Sequence, residues 1–192
     1  AQYNAAYGFL AMDAITTGDY NTAIGKGAGT AINSGAQNTV VGKDAGAALT
    51  TGSSNVAIGY EALTTEDTTG SSVAIGYRAL RVQNTGATSY NVAIGTLAGS
   101  ALTTGVENTI TGGLAGDALT TGNYNIAIGH TALSTEDTGS KSVAIGHQAL
   151  LNQNYNGDAF NTAIGHNVGA ALTSGILNTL VGGLAGDALN IG

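Results

Sequence analysis

From Asn55 the chain reads NVAIGYEAL, an alternation of branched and small residues closed by Gly, and the same pattern returns seventeen residues later as SVAIGYRAL. It opens at Asn4, Asn21, Asn38, Asn55, Ser72, Asn91, Asn108, Asn125, Ser142, Asn161 and Asn178. These eleven units are seventeen residues long, except those at Ser72 and Ser142, which run to nineteen. The exception is itself periodic: Asn21, Asn91 and Asn161 lie seventy apart, as do Ser72 and Ser142. The chain divides into an opening coil 1–20, two four-coil blocks 21–90 and 91–160, and a partial block 161–192, all within one repeat domain 1–192. A helical-hairpin repeat needs more than ~30 residues, whereas a seventeen-residue unit suits one turn of a β-solenoid. The fold class is therefore all-β, a parallel β-solenoid or β-roll of about eleven coils of 17–19 residues.

Within each unit, VAIG-type phrases predict a short strand, and the following "AGxALTTG" or "ALxTED" stretch predicts a second one before Thr, Gly and Asn turn residues. Helix competes for AGSAL and AGDAL, yet TTG ends each within five residues, too short for a stable nucleus. Coils stacked at ~4.8 Å make a rod roughly 50 Å long.

Alternation along the strand puts Val56 and Ile58 on one face and Asn55, Ala57 and Gly59 on the other. The same pattern marks Val73 with Ile75, Val92 with Ile94, Ile126 with Ile128, and Val143 with Ile145 as core or interface positions. One face must line the interior. A solvated outer face would not carry Ala in so many coils, so the second is expected to pack against something else, which points to association along the rod. The third and fourth positions of the phrase also trade volume: Val40 with Val41, Ile110 with Thr111 and Leu180 with Val181 replace the usual Ala and Ile. Such compensation is expected where both positions meet close-packed surroundings.

Composition narrows the classes. With 43% hydrophobic residues in 192, the chain can bury a core. Its 31 Gly come without Pro or a Gly-X-Y period, which excludes collagen. A formal net charge of −7 leaves no basic surface for nucleic acid. Absence of Cys removes disulfides and thiolate chemistry, and no apolar run reaches the ~18 residues of a membrane helix. The pattern runs to the last residue, so the chain reads as a processed or excerpted piece whose open strand edges are expected to continue into more protein or stack end to end.

The repeated "S/N-x-AIG-xx-A-x-AL" phrase, found in nearly the whole chain from Asn4 to Gly192, resembles the head repeats of YadA-like trimeric autotransporter adhesins and related repeats of bacteriophage tail fibres. The resemblance implies a left-handed β-roll in which three chains lie side by side, with one strand face toward the roll interior and the other toward a threefold axis. Two departures stand out: the coils are longer than the usual head repeat, and the chain carries no neck, coiled-coil stalk or membrane anchor.

Equivalent positions in adjacent coils become neighbours, so chemistry is read by column. His130, His147 and His166 each follow the phrase directly and should form a ladder able to hold a metal or an anion; Tyr60, Tyr77 and Phe9 in the same column favour a plain ring column, and no metal site is assigned. Glu66 with Asp67 and Glu136 with Asp137 recur seventy apart on a Thr-rich turn, where they read as a solvated edge, without the calcium-binding pattern of EF-hands. GLAGDAL at Gly113 and Gly183 lacks the Lys and the strand-to-helix setting of a phosphate loop. No catalytic set and no cofactor signature stands out. Tyr20, Tyr90 and Phe160 precede the Asn that opens a block, Tyr124 shares their column, and Tyr155 lies in a lengthened loop. Exposed, these rings suit stacking on sugar faces; otherwise they cap the core or wedge between protomers. The loops RVQNTGATSY and LNQNYNGDAF, lengthened in the nineteen-residue coils, are the first choice for contacts.

The expectation is a non-enzymatic, extracellular fibre or adhesin-head module that partners itself, as homotrimer or end-to-end filament, and engages cell-surface glycans. A phage tail-fibre receptor-binding segment is one alternative. Another is an ice- or surface-binding solenoid, although Asn33, Glu66, Gln83 and Ser174 interrupt its Thr ladder.

Overall fold

The computed structural model describes residues 1–68 and 70–191; Thr69 of the Thr-rich turn and Gly192 lie outside the described residues. The strands are β1 (Ala5–Tyr7), β2 (Thr22–Ile24), β3 (Thr39–Val41), β4 (Val56–Ile58), β5 (Val73–Ile75), β6 (Val92–Ile94), β7 (Thr109–Thr111), β8 (Ile126–Ile128), β9 (Val143–Ile145), β10 (Thr162–Ile164) and β11 (Thr179–Val181). Each pairs in parallel with the next, in chain order, to give a single eleven-stranded sheet among the described residues. The chain is a β-solenoid. Its register steps by seventeen, as in Val56↔Val73, except where Val73 meets Val92 and Val143 meets Thr162, the two nineteen-residue coils.

Each coil holds one strand, not the two predicted. The second apolar stretch turns instead, because every other residue there enters the left-handed region: Gly42, Asp44 and Gly46 have φ of 132°, 56° and 55°. Even Leu63 and Leu80 adopt φ of 51° and 47°. Such a conformation costs about 1 kcal/mol for a residue with a Cβ. Coil-to-coil backbone bonds offset it, among them Asp44 N donating to Lys26 O at 2.9 Å and Leu63 N to Ala79 O at 3.0 Å.

The interior is the Ala face of the strands. Ala23, Val40, Ala57, Ala74, Ala93, Ile110, Ala144 and Ala163 are fully buried, while Val56, Ile58, Val73, Ile75, Val92, Ile126, Ile128, Val143 and Ile145 are half-buried and Ile94 is exposed. The Val and Ile positions expected at the core or an interface thus form the outer surface of the rod. Ala suits the inside where the turn segment closes over the strand with a buried Leu such as Leu63, whereas Val40 and Ile110 fit where the facing turn carries Gly.

Opposite the strands, the eighth and eleventh residues after each opening Asn or Ser share one space. Where the eighth is Gly the eleventh is large: a Cβ on Gly29 would lie 2.6 Å from Ile32 Cδ1, and one on Gly46 would lie 2.8 Å from Leu49 Cδ1. In the coils opened by Asn55, Ser72, Asn125 and Ser142 the eighth is buried Leu63, Leu80, Leu133 or Leu150, and the eleventh is Glu66, Gln83, Glu136 or Gln153. This exchange explains the trade of volume along the phrase. Val40 and Ile110 enlarge inward where the turn carries Gly46, Gly99 and Gly116, so the compensation runs across the core and not between neighbours on the strand.

Asparagine fixes the register. Asn21 Oδ1 accepts from Asn38 N at 2.9 Å and Asn108 Oδ1 from Asn125 N at 2.9 Å, each bond joining one buried Asn to the next coil. The second amide hydrogen goes to a glycine carbonyl fourteen residues on, as from Asn38 Nδ2 to Gly52 O at 2.8 Å. Gly after each strand permits the close stacking: Gly59 has φ of 133°, and a Cβ there would lie 2.3 Å from Gly76 O.

Candidate functional site

Three surfaces carry chemistry. The first is the outer strand face, where two rows of side chains run the length of the rod: Thr22, Thr39, Val56, Val73, Val92, Thr109, Ile126, Val143 and Thr162 in one, Ile24, Val41, Ile58, Ile75, Ile94, Thr111, Ile128, Ile145 and Ile164 in the other. At strand spacing this strip measures roughly 45 Å by 10 Å. Thirteen of these eighteen side chains are Val or Ile and five are Thr, so the strip is a largely apolar patch of the size that interaction surfaces carry.

The second surface is the column directly after the strand. Tyr60 and Tyr77 stack with centroids 5.5 Å apart, and His130, His147 and His166 stack at 5.5 and 5.0 Å. Parallel rings at these separations do not bring their nitrogens within the ~2.1 Å reach of one ion. No group of three or more His, Cys, Asp or Glu suited to a metal occurs among the described residues. Around the tyrosines lies a charged cluster. Arg78 Nε donates to Glu61 Oε2 at 2.8 Å and the guanidinium stands 5.0 Å from the Tyr77 ring, while Lys43 Nζ stands 4.9 Å from that of Tyr60. A hydrogen bond from the Tyr60 side chain, and next the Arg78 guanidinium, hold the Glu61 carboxyl below its ordinary range. Bonding to Asp44 holds the Lys43 ammonium above its own.

The third is the column just before the strand, all of it in the left-handed region and largely exposed. Tyr20, Tyr90, Tyr124 and Phe160 expose between 49% and 60% of their surface, so they do not cap the core. Nor do they form one platform. Tyr3 and Tyr20 stack at 5.0 Å, but Glu107 separates Tyr90 from Tyr124, and Lys141, whose Nζ lies 5.1 Å from the Phe160 ring, separates Tyr124 from Phe160. Tyr155 is half-buried, its ring against Gly157.

The acidic pairs split. Glu66 and Glu136, expected on a solvated edge, are fully buried, whereas Asp67 and Asp137 are half-buried. Burial follows from their column, which is that of Leu49 and Leu102, one residue ahead of the Thr turn. Gln83 Nε2 donates to Glu66 Oε2 at 2.9 Å and to Ser72 Oγ at 2.9 Å, and Asn91 Nδ2 donates to Gln83 Oε1 at 2.9 Å. The second block repeats this: Gln153 Nε2 reaches Glu136 Oε2 at 3.0 Å and Ser142 Oγ at 2.8 Å, and Asn161 Nδ2 reaches Gln153 Oε1 at 2.8 Å. Ser replaces Asn at the start of these coils because the Gln amide now fills the space the Asn side chain takes elsewhere. Sequence reading missed this network, although Ser and Gln changing together with coil length was the signal.

Beside the lengthened loop of the first block lies a cleft of about 560 Å³, lined by Thr51, Ser53, Ser54, Thr68, Gly70, Ser71, Gly86, Ala87 and Thr88. Its lining carries no charge.

No family model, curated protein or solved structure matches the chain. What fold and surfaces define is a β-solenoid repeat protein, and the resemblance to adhesin heads and tail fibres rests on its residues alone.

Proposed function

We propose that the protein is a non-enzymatic structural rod, an extracellular fibre or adhesin-head module that associates with copies of itself through the outer strand face and attaches to surfaces. The observation that carries this reading is the continuous double row of branched side chains across the sheet, which a solitary rod would leave wet. Homotrimerisation around that face is the arrangement the repeat's resemblance favours; an end-to-end filament is the other form self-association can take. The bacteriophage tail-fibre segment is the same reading with a viral source. Light scattering coupled to size-exclusion tests it: the chain should run at three times its 18.8 kDa mass, and Ile58→Glu with Ile128→Glu should return it to one. A monomer at tens of micromolar, with the face intact, overturns it.

Binding to ice or another ordered surface is a second reading, favoured by Thr22, Thr39, Thr109, Thr162 and Thr179 standing in register on the same flat face. Glu66 and Gln83 do not interrupt that face, being inside the rod. Crystal shaping of ice by a monomeric preparation supports this reading over the first.

A further inference from the structure

The two blocks supply an internal comparison at the lengthened loops. Adding seventy to each lining residue of the first-block cleft gives Thr121, Asn123, Tyr124, Thr138, Lys141, Asn156, Gly157 and Asp158, with Ser140 in place of the remaining glycine. There, side chains close the gap: Lys141 Nζ meets Asp158 Oδ2 at 2.6 Å and Thr138 Oγ1 donates to Asn156 Oδ1 at 2.8 Å. A parallel bridge between Ser140 and Asp158 ties the loop to the preceding coil. In the first block Ser71 and Thr88 stand where the ion pair stands, and Gly86 stands where Asn156 does, with nothing within 4 Å of the place its Cβ would occupy. Among the described residues, the space that the second block fills is left open in the first and lined with hydroxyls.

From this we infer that the first-block cleft is a binding site for one or two neutral pyranose units. A volume of 560 Å³ accommodates that size, within the usual range for small-ligand sites. Thr51, Thr68, Ser71 and Thr88 offer hydroxyls that both donate and accept, and Ser53 and Ser54, whose hydroxyls donate to Thr51 O and Gln37 Oε1, add acceptor oxygens, which matches a polyol and gives a charged ligand no counter-ion. Register places Tyr90 one coil beyond Ser71 in the same column, since Val73 pairs with Val92. Its ring is 60% exposed and offers an apolar face to the C–H side of a sugar at the rim of the cleft.

The inference names the ligand class of the attachment reading and rests on it. Its test is an array of neutral oligosaccharides ending in hexoses or N-acetylhexosamines, beside sialylated and sulfated ones, probed with the full chain. The neutral set should bind. Ser71→Lys combined with Thr88→Asp, which transplants the second-block ion pair, should weaken binding about tenfold or more with an unchanged melting temperature. Ser54→Tyr, the second-block residue at that position, should do the same should the double variant fail to fold. In the other block, Lys141→Ser with Asp158→Thr should leave first-block binding as it was. Binding to charged glycans alone, to none, or undiminished in both cleft variants overturns the inference. Failure of assembly is distinguishable: a monomer that binds neutral sugar removes the self-associating rod and keeps the site, whereas a trimer blind to sugar does the reverse.

Discussion

Residues 55–90 and 125–160 are two copies of one design whose outsides diverge and whose insides agree but for two points. Buried Ser89 stands where Ala159 does, and Glu136 Oε1 accepts from Gly139 N where Glu66 Oε1 has no partner among the described residues. Inside, Glu66, Gln83 and Ser72 repeat as Glu136, Gln153 and Ser142 with hydrogen bonds that match within 0.1 Å. Outside, Tyr60 and Tyr77 become His130 and His147, the Glu61 and Arg78 pair becomes Thr131 and Gln148, and the Ser71 and Thr88 cleft becomes the Lys141 and Asp158 bridge. The difference teaches where the constraint lies. A core residue here touches the coils above and below, so any change must be answered in three coils at once. A surface residue in a turn answers to solvent and to partners, and drifts or specialises freely.

The largest blow to that symmetry should come from the glycines that close the strands. Gly59→Ala and Gly129→Ala both force a Cβ to 2.3 Å from the next coil's carbonyl oxygen at φ near 134°. Each should cost about 4 kcal/mol by denaturant unfolding. Equal losses uphold the matched interiors, and a loss confined to one block breaks them.

Next comes the buried polar network. Gln83→Ala removes the donor to the buried Glu66 carboxylate and an acceptor of the buried Asn91 amide and should cost about 2–3 kcal/mol, whereas Gln153→Ala should cost about 1 kcal/mol less because Glu136 keeps the bonds from Gly139 N and Tyr155 N. Changing the network to Leu throughout one block should lose far less, because apolar replacements leave nothing unsatisfied. Parallel melting curves of the two single variants measure whether the networks are equivalent.

The smallest effect belongs to the exposed cluster of the first block. Glu61 has its carboxyl pKa held down in the folded chain, by Tyr60 first and Arg78 second, so its contribution is present above the unfolded pKa and is lost as pH falls through the folded one. Thermal melting from neutral pH into the acid carboxylate range should therefore be slightly less acid-sensitive in Glu61→Gln than in the unaltered chain. The matching change Thr131→Gln, where no carboxylate stands, should leave the pH profile unaltered.

Much of this was legible beforehand. Seventeen- and nineteen-residue spacing dictated the coil number, the parallel order and the register of every strand, because a hydrophobic phrase repeated at fixed intervals can be buried only by stacking on itself. The aromatic columns were legible too, since residues at equal phase become neighbours, but that their rings stand exposed was decided by the fold. Other features needed the folded chain. Strand alternation separates Ala57 from Val56 and Ile58 but says nothing of which side is covered; that was decided by how closely the turning segment lies over the strand. The same turn, left-handed at every second residue, cancelled the second strand that its apolar residues suggested. Glu66 reads as a surface acid in any local window and is buried only because its column faces inward, where Gln83 arrives from the next coil to donate both to its Oε2 and to Ser72 Oγ. Period is a property of the chain and survives in the sequence, whereas the inside of a solenoid exists only once neighbouring coils have closed around it.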